Sequence, residues 1–189
     1  MMPNERERES KHVRIERSPW LAGPAPQLLA IQSIAFRRDW TAWLEEAVRE
    51  VFELILNEPL GRCKRIVFEE EFDLCAMVGL AGDICGMLSL RGSNVCGAKI
   101  ASAMLGSEVA EGENSVLDAL GEVCNMIAVN FKAKIPGIAD GCLLSDPTVI
   151  EGKDYVVHSM AESERIRLVL EFGRHPFSIT LDLHSPLLS

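Results

Sequence analysis

Basic residues are scarce. Nineteen lysines and arginines stand against 28 acids, which gives the 189-residue chain a formal charge of −9 and a pI near 5.0. A phosphate backbone is held mainly by clustered positive charge, so nucleic acid is excluded as the expected partner. The cysteines at positions 63, 75, 85, 96, 124 and 142 include no C-x-x-C pair, and no histidine stands beside them at a zinc-ligand spacing. A metal centre and a disulfide framework are therefore not expected, and the thiols read as small buried hydrophobes in a reducing cytoplasm. G-x-G-x-x-G, Walker, H-E-x-x-H and G-x-S-x-G motifs are all missing, which removes the usual signatures of a small-molecule enzyme. The opening MMPNERERESKHVRIERS has no apolar h-region, so no secretory signal is expected. No membrane-spanning run is present either. The nearest, residues 74–90, carries Asp83 and is interrupted by Gly79, Gly82 and Gly86, as a hairpin would be. A soluble, cytoplasmic protein is the expectation.

What is present is an ordinary globular composition, 48% hydrophobic and 25% charged. The length fits one domain plus an extension, large enough to fold on its own core. Residues 1–27 read as a flexible tail. Glu and Arg alternate from Glu5 to Glu9, and Pro19, Gly23, Pro24 and Pro26 interrupt any regular element. Residues 28–189 read as the folded domain.

A first helix starts at Asp39. Trp40, Trp43, Leu44, Ala47, Val48, Val51, Phe52 and Ile55 repeat at three and four residues, and Pro59 and Gly61 end the pattern. Short strands are expected over residues 65–72, 74–80 and 84–90, the last two closed by Ala81-Gly82-Asp83. Ser93 can cap a second helix that runs to Leu105 and ends at Gly106. Ser115 can cap a third, which runs to about Lys134. A strand pair is expected over 142–150 and 155–160. Arg165–Phe172 and Pro176–Leu183 alternate as strands covered on one face and are joined through Gly173-Arg174-His175. Helices packed on an antiparallel sheet make the fold class α+β.

The third helix is the most informative element. At about 100° per residue, Asp118, Glu122 and Asn125 fall within an arc of about 60°, with exposed Val129 continuing their line. Val116, Leu120, Val123, Ile127 and Phe131 form the opposite, core-facing stripe. Any amphipathic helix has such a polar face, and Ser115-x-x-Asp118 also resembles a capping box, which would give Asp118 a purely local role. Glu69-Glu70-Glu71 reads as a solvated edge, His158 and His175 as structural, and Cys124 as packed, because it points about 100° away from Asn125.

Asp118-Ala-Leu-Gly-Glu122-Val-Cys-Asn125 resembles the D/S-x3-E-x2-N signature of the CheC/CheX/FliY chemotaxis phosphatases. Pro147 follows Asn125 after 21 intervening residues, at or within one position of the spacing of that family's closing proline. The resemblance covers about residues 35–185, and it implies a CheC-like fold with pseudo-symmetric halves. The matching frame of the first helix reads Ala42, Glu46 and Arg49, with neither an acid or serine first nor an amide last. One site in place of two is the CheX-like arrangement, for which the resemblance implies a homodimer.

The activity implied is hydrolysis of the aspartyl-phosphate of a CheY-like response regulator. Mg²⁺ would be supplied by the receiver, so no cofactor of the protein's own is expected. An amide can hold a water in line with phosphorus without adding negative charge, which suits Asn125. The resemblance gives Glu122 the pairing with the receiver's lysine. Asp118 would contact the receiver or cap its own helix, Val129 would lie in the partner surface, and Pro147 would shape the strand entry. The alternative is a non-catalytic module of the same fold that binds a receiver or a flagellar-rotor partner.

Overall fold

The apolar stripe of the first helix and the alternating strands that follow it build two layers. A computed structural model describes residues 39–63, 67, 72–137, 140–153, 155 and 163–184. All of these belong to one compact unit, Phe36–Ser189. Helix α1 spans residues 39–50 and widens into a π-turn, Val51–Ile55, that ends at Leu56. The helix therefore stops before Pro59 and Gly61, and Asn57 turns the chain with a positive φ of 52°. Its stripe is buried at Trp40, Leu44, Ala47, Val48, Val51 and Phe52. Trp40 meets Phe131 edge-on at 5.5 Å, while Phe52 stacks on Phe177 at 4.9 Å and meets Phe172 edge-on at 5.2 Å. Aromatic contacts at both ends thus hold α1 to the third helix and to the sheet.

Strand β1, Gly61–Arg62, is followed by the hairpin β2, Leu74–Gly82, and β3, Cys85–Gly92. Its turn lies one residue later than the sequence pattern indicates. Gly82, at φ 108°, starts it, and Ile84 is buried within it. The expected strand over 65–72 falls largely outside the described residues, as do Glu69-Glu70-Glu71, His158 and the strand over 155–160. Helix α2, Asn94–Leu105, is capped as expected. Ser93 Oγ accepts from Cys96 N at 3.2 Å, and Gly106 ends the helix at φ 65°. Helix α3, Asn114–Lys134, β4, Cys142–Leu144, β5, Thr148–Glu151, β6, Ser163–Phe172, and β7, His175–His184, complete the described elements.

The seven described strands form one antiparallel sheet in the order β1-β6-β7-β3-β2, with β4 and β5 both paired to the far edge of β2. The single strand expected over 142–150 is therefore broken in the middle. Pairing runs from Gly82↔Cys142 to Leu80↔Leu144 and resumes at Met77↔Thr148. Val78 and Gly79 on β2 thus face three residues, Ser145, Asp146 and Pro147. This is a one-residue β-bulge, which bends an edge strand and reverses which side chains face the core. Ser145 holds it in place: its N–H donates to Gly79 O at 3.0 Å, and its Oγ accepts from Gly79 N at 2.9 Å. Pro147, which has no N–H to give, sits where the ladder asks for none.

Helices α2 and α3 pack side by side on the sheet, and at Gly97 of α2 there is no room for a side chain. A Cβ there would lie 2.7 Å from both Leu74 Cδ1 and Val116 Cγ1. None of the helices among the described residues is long and apolar enough to cross a membrane.

Candidate functional site

Helix α3 divides as its sequence period dictates. Val116, Leu120, Val123, Ile127 and Phe131 are buried, together with Ala119, Cys124 and Ala128. Burying this stripe fixes the roll of the helix and leaves the opposite line outward. Asp118 and Glu122 are exposed, Asn125 is half-buried, and Val129 is 43% exposed. The three polar positions therefore share one face, with the amide set deeper than the two acids. No described residue makes a hydrogen bond or ion pair with the side chain of Asp118, Glu122 or Asn125.

The start of the helix differs from the expectation. The N-cap is Glu113, and Ser115 already lies inside the helix. Ser115 Oγ donates to Glu113 Oε2 at 3.4 Å, while Glu113 Oε1 accepts from Ala110 N at 2.9 Å. A capping box needs its serine at the N-cap, so Ser115 and Asp118 do not form one. The loop before α3 is closed by a glutamate side chain, a residue that capping statistics rank low, which is why the sequence pointed two residues downstream.

Cys124 is buried as its phase requires, with Sγ 3.6 Å from Ala76 O and 3.9 Å from Leu88 O. Burial, with the neighbouring Cys75 adding to it, pushes its thiol up to about 12, so it carries no thiolate near neutrality. Cys96 is held in the same state by burial. None of the six cysteines is joined in a disulfide; Cys75, Cys96, Cys124 and Cys142 are buried and Cys63 and Cys85 half-buried. Among the described residues no group of three histidine, cysteine or acidic side chains could hold a metal ion.

Two contacts border the outward face and were not legible from the sequence. Pro147 and Val149 lie against Gly121, the residue just before Glu122. A Cβ on Gly121 would be 3.3 Å from Val149 Cγ2 and 3.6 Å from Pro147 Cβ and Cγ. Further along, Lys132 Nζ donates to Cys142 O at 3.0 Å. Taking Asp118 as zero, Gly121 lies at about −60°, Lys132 at about −40° and Asn125 at about −20°. The β4–β5 edge therefore runs along the flank of the helix nearest Asn125.

The matching frame on α1 is occupied differently. Glu46 pairs with Lys134 Nζ at 3.2 Å, beside Glu50 at 2.8 Å, and Arg49 reaches Glu45 at 3.5 Å and Glu53 at 3.3 Å. Those side chains tie α1 to α3 and to itself. The outward, unpartnered polar line belongs to α3.

Helices on an antiparallel sheet, in this order, define the CheC-like α+β fold. Solved structures agree on it. A chemotaxis protein CheX from Vibrio vulnificus is 18% identical with a TM-score of 0.66, covering 77% of this chain and 96% of the other. A CheX–CheY–BeF3–Mg²⁺ complex from Borrelia burgdorferi includes a chain 18% identical with a TM-score of 0.64, covering 77% and 98%. In sequence, the CheY-P phosphatase CheX of Thermotoga maritima is 27% identical over 113 residues, 59% of this chain and 72% of its own length. The family model described as chemotaxis phosphatase CheX matches residues 74–171, just over half of the chain. The chain belongs to the chemotaxis phosphatase CheX family.

Proposed function

We propose that this protein hydrolyses the aspartyl-phosphate of a CheY-like receiver, with the outward face of α3 as the site. The observation that carries the reading is a half-buried amide, Asn125, one turn from an exposed carboxylate, Glu122, on a helix whose opposite side is fully buried. A relative bearing the name CheY-P phosphatase CheX, and a similar chain crystallised with CheY, BeF3 and Mg²⁺, support the substrate class.

The division of labour follows from charge. A phosphoryl group repels a carboxylate, so the residue that touches the attacking water has to be neutral. Asn125 meets that need, because its carbonyl oxygen accepts a water proton while its amino group donates toward a phosphoryl oxygen. Aligning the water with phosphorus is the entropic part of the barrier. Glu122 lies outside the reacting line and pairs with the receiver's lysine, which holds the docked helix in register. Asp118, freed from the capping role, is a second partner contact, and Val129 adds apolar area at the far end of the face. Pro147 shapes the edge beside the helix. Mg²⁺ comes with the receiver and neutralises the developing charge there. The tail expected over residues 1–27 lies outside the described residues, and the working form is a homodimer.

The test separates docking from chemistry. Beryllofluoride-loaded receiver should bind the wild type and Asn125→Ala with affinities within a few-fold, while Glu122→Gln weakens binding by about tenfold, the loss of one charged pair at about 1.4 kcal/mol. Wild-type protein in catalytic amounts should speed loss of the receiver's phosphate. Binding without any acceleration would overturn the phosphatase reading in favour of a receiver-binding module.

A further inference from the structure

The bulge in the edge strand and the glycine in the signature helix are two halves of one device. Without the bulge, the side chains facing α3 after Leu144 would be those of Asp146 and Thr148. The extra residue reverses that alternation, so that Val149, opposite Ala76, turns toward the helix together with Pro147. Both arrive at Gly121, where the helix offers no side chain. From Gly121 to Lys132 the helix rises about 16 Å, and from Pro147 back to Cys142 an extended strand covers about the same distance. The strand edge therefore meets α3 at two points, Gly121 on Pro147 and Val149, and Lys132 on the Cys142 carbonyl. Asn125 lies between them, about 6 Å along the helix from Gly121.

We infer that Gly121 is a positioning residue for the phosphatase site: its missing side chain seats α3 against the Pro147–Val149 edge at the one height that presents Asn125 correctly to a docked receiver. The inference rests on the phosphatase reading above. Glycine inside a helix is costly to stability, so a helix position that keeps it needs a packing reason. Alanine there would bring a methyl group to 3.3 Å from Val149 Cγ2, closer than the 3.5–4.0 Å of good carbon–carbon contact. Helix and edge would have to part by a few tenths of an ångström. That is a small change for folding and a large one for a water that must sit in line with phosphorus.

The experiment compares wild type, Gly121→Ala, Val149→Ala and the double variant by turnover at saturating phosphorylated receiver, by affinity for the beryllofluoride-loaded receiver, and by melting temperature. Gly121→Ala should lower turnover about tenfold, leave affinity within about twofold and leave the melting temperature equal or higher, because alanine favours the helix. Val149→Ala leaves only Pro147 to seat the helix, so it should turn over more slowly than wild type but faster than Gly121→Ala. In the double variant the crowding contact is gone, and turnover should return to within about twofold of wild type. A structural role alone would move the melting temperature and leave turnover per folded molecule unchanged. Turnover by Gly121→Ala within twofold of an active wild type would overturn the inference alone. So would a double variant as slow as the single one. A wild type that never speeds dephosphorylation would overturn the phosphatase reading and this inference with it.

Discussion

Gly97→Ala tests how tightly α2 locks the start of the signature helix. The added methyl would lie 2.7 Å from Leu74 Cδ1 and 2.7 Å from Val116 Cγ1, both on fully or almost fully buried side chains. Neither neighbour can withdraw into solvent, so the crowding is relieved only by moving α2 away from the sheet or from α3. Overpacking of this kind costs about 1–3 kcal/mol, while replacing a helical glycine returns about 0.5–1 kcal/mol. The net expectation is a loss centred on about 1 kcal/mol, or roughly 2–4 °C in melting temperature for a domain of this size. Urea unfolding should show a lower midpoint with an unchanged slope, since the surface exposed on unfolding is the same. Val116→Ala in the same background should recover part of the loss, as contacting residues do not add. Because Val116 lies two residues before Asp118, the variant should also shift the start of the outward face. A Gly97→Ala protein as stable as wild type, or more so, would refute the packing argument.

Further outcomes follow from other named contacts. Lys134→Met should cost about 0.5–1 kcal/mol, because Lys134 is largely covered while Glu46 and Glu50 are exposed enough for water to screen the pairs. Burial opposes the charge on Lys134, but hydrogen bonds and attraction from Glu50 and Glu46 outweigh it and raise its pKa above 10.5. A raised folded pKa stabilises fully below 10.5 and is lost as pH climbs through the folded value, so the difference between wild type and Lys134→Met should vanish only in strong alkali. Asp182→Ala should cost about 1–2 kcal/mol by equilibrium unfolding, since the buried Asp182 carboxylate accepts from Arg165 Nε at 2.7 Å and Nη2 at 3.0 Å, while Arg165 itself stays largely exposed. Alkylation at pH 8 followed by peptide mapping should mark Cys85 well before Cys96 or Cys124, whose thiols burial holds near 12.

Period was legible in the sequence, and non-local contact was not. The 3.6-residue repeat assigned both faces of α3 correctly, because burial of Val116, Leu120, Val123, Ile127 and Phe131 is a consequence of phase alone. Ser93 and Gly106 announced the ends of α2, because a hydroxyl N-cap and a left-handed glycine act within one turn. Ser115 misled for the same local reason: it has the right chemistry for a cap, but Glu113 and Ala110 close the loop first. The bulge at Ser145–Pro147 was hidden because its evidence is a register on β2, some 70 residues earlier in the chain. Gly121 carries no local signal within the signature, because what surrounds it, Pro147 and Val149, comes from an edge strand more than twenty residues later. Glu46 stands where the signature frame on the first helix would place its glutamate, without an acid or amide companion at Ala42 and Arg49. Its pairing with Lys134 became visible only in three dimensions.

The central claim is that Asn125 holds the attacking water, and phosphate release from a phosphorylated receiver of the same organism tests it most directly. With receiver in excess, the wild type should accelerate release over the receiver's own decay. Asn125→Ala should lose that acceleration by about a hundredfold or more while still binding. Equal acceleration by the two proteins would contradict the account and move the chemistry away from Asn125.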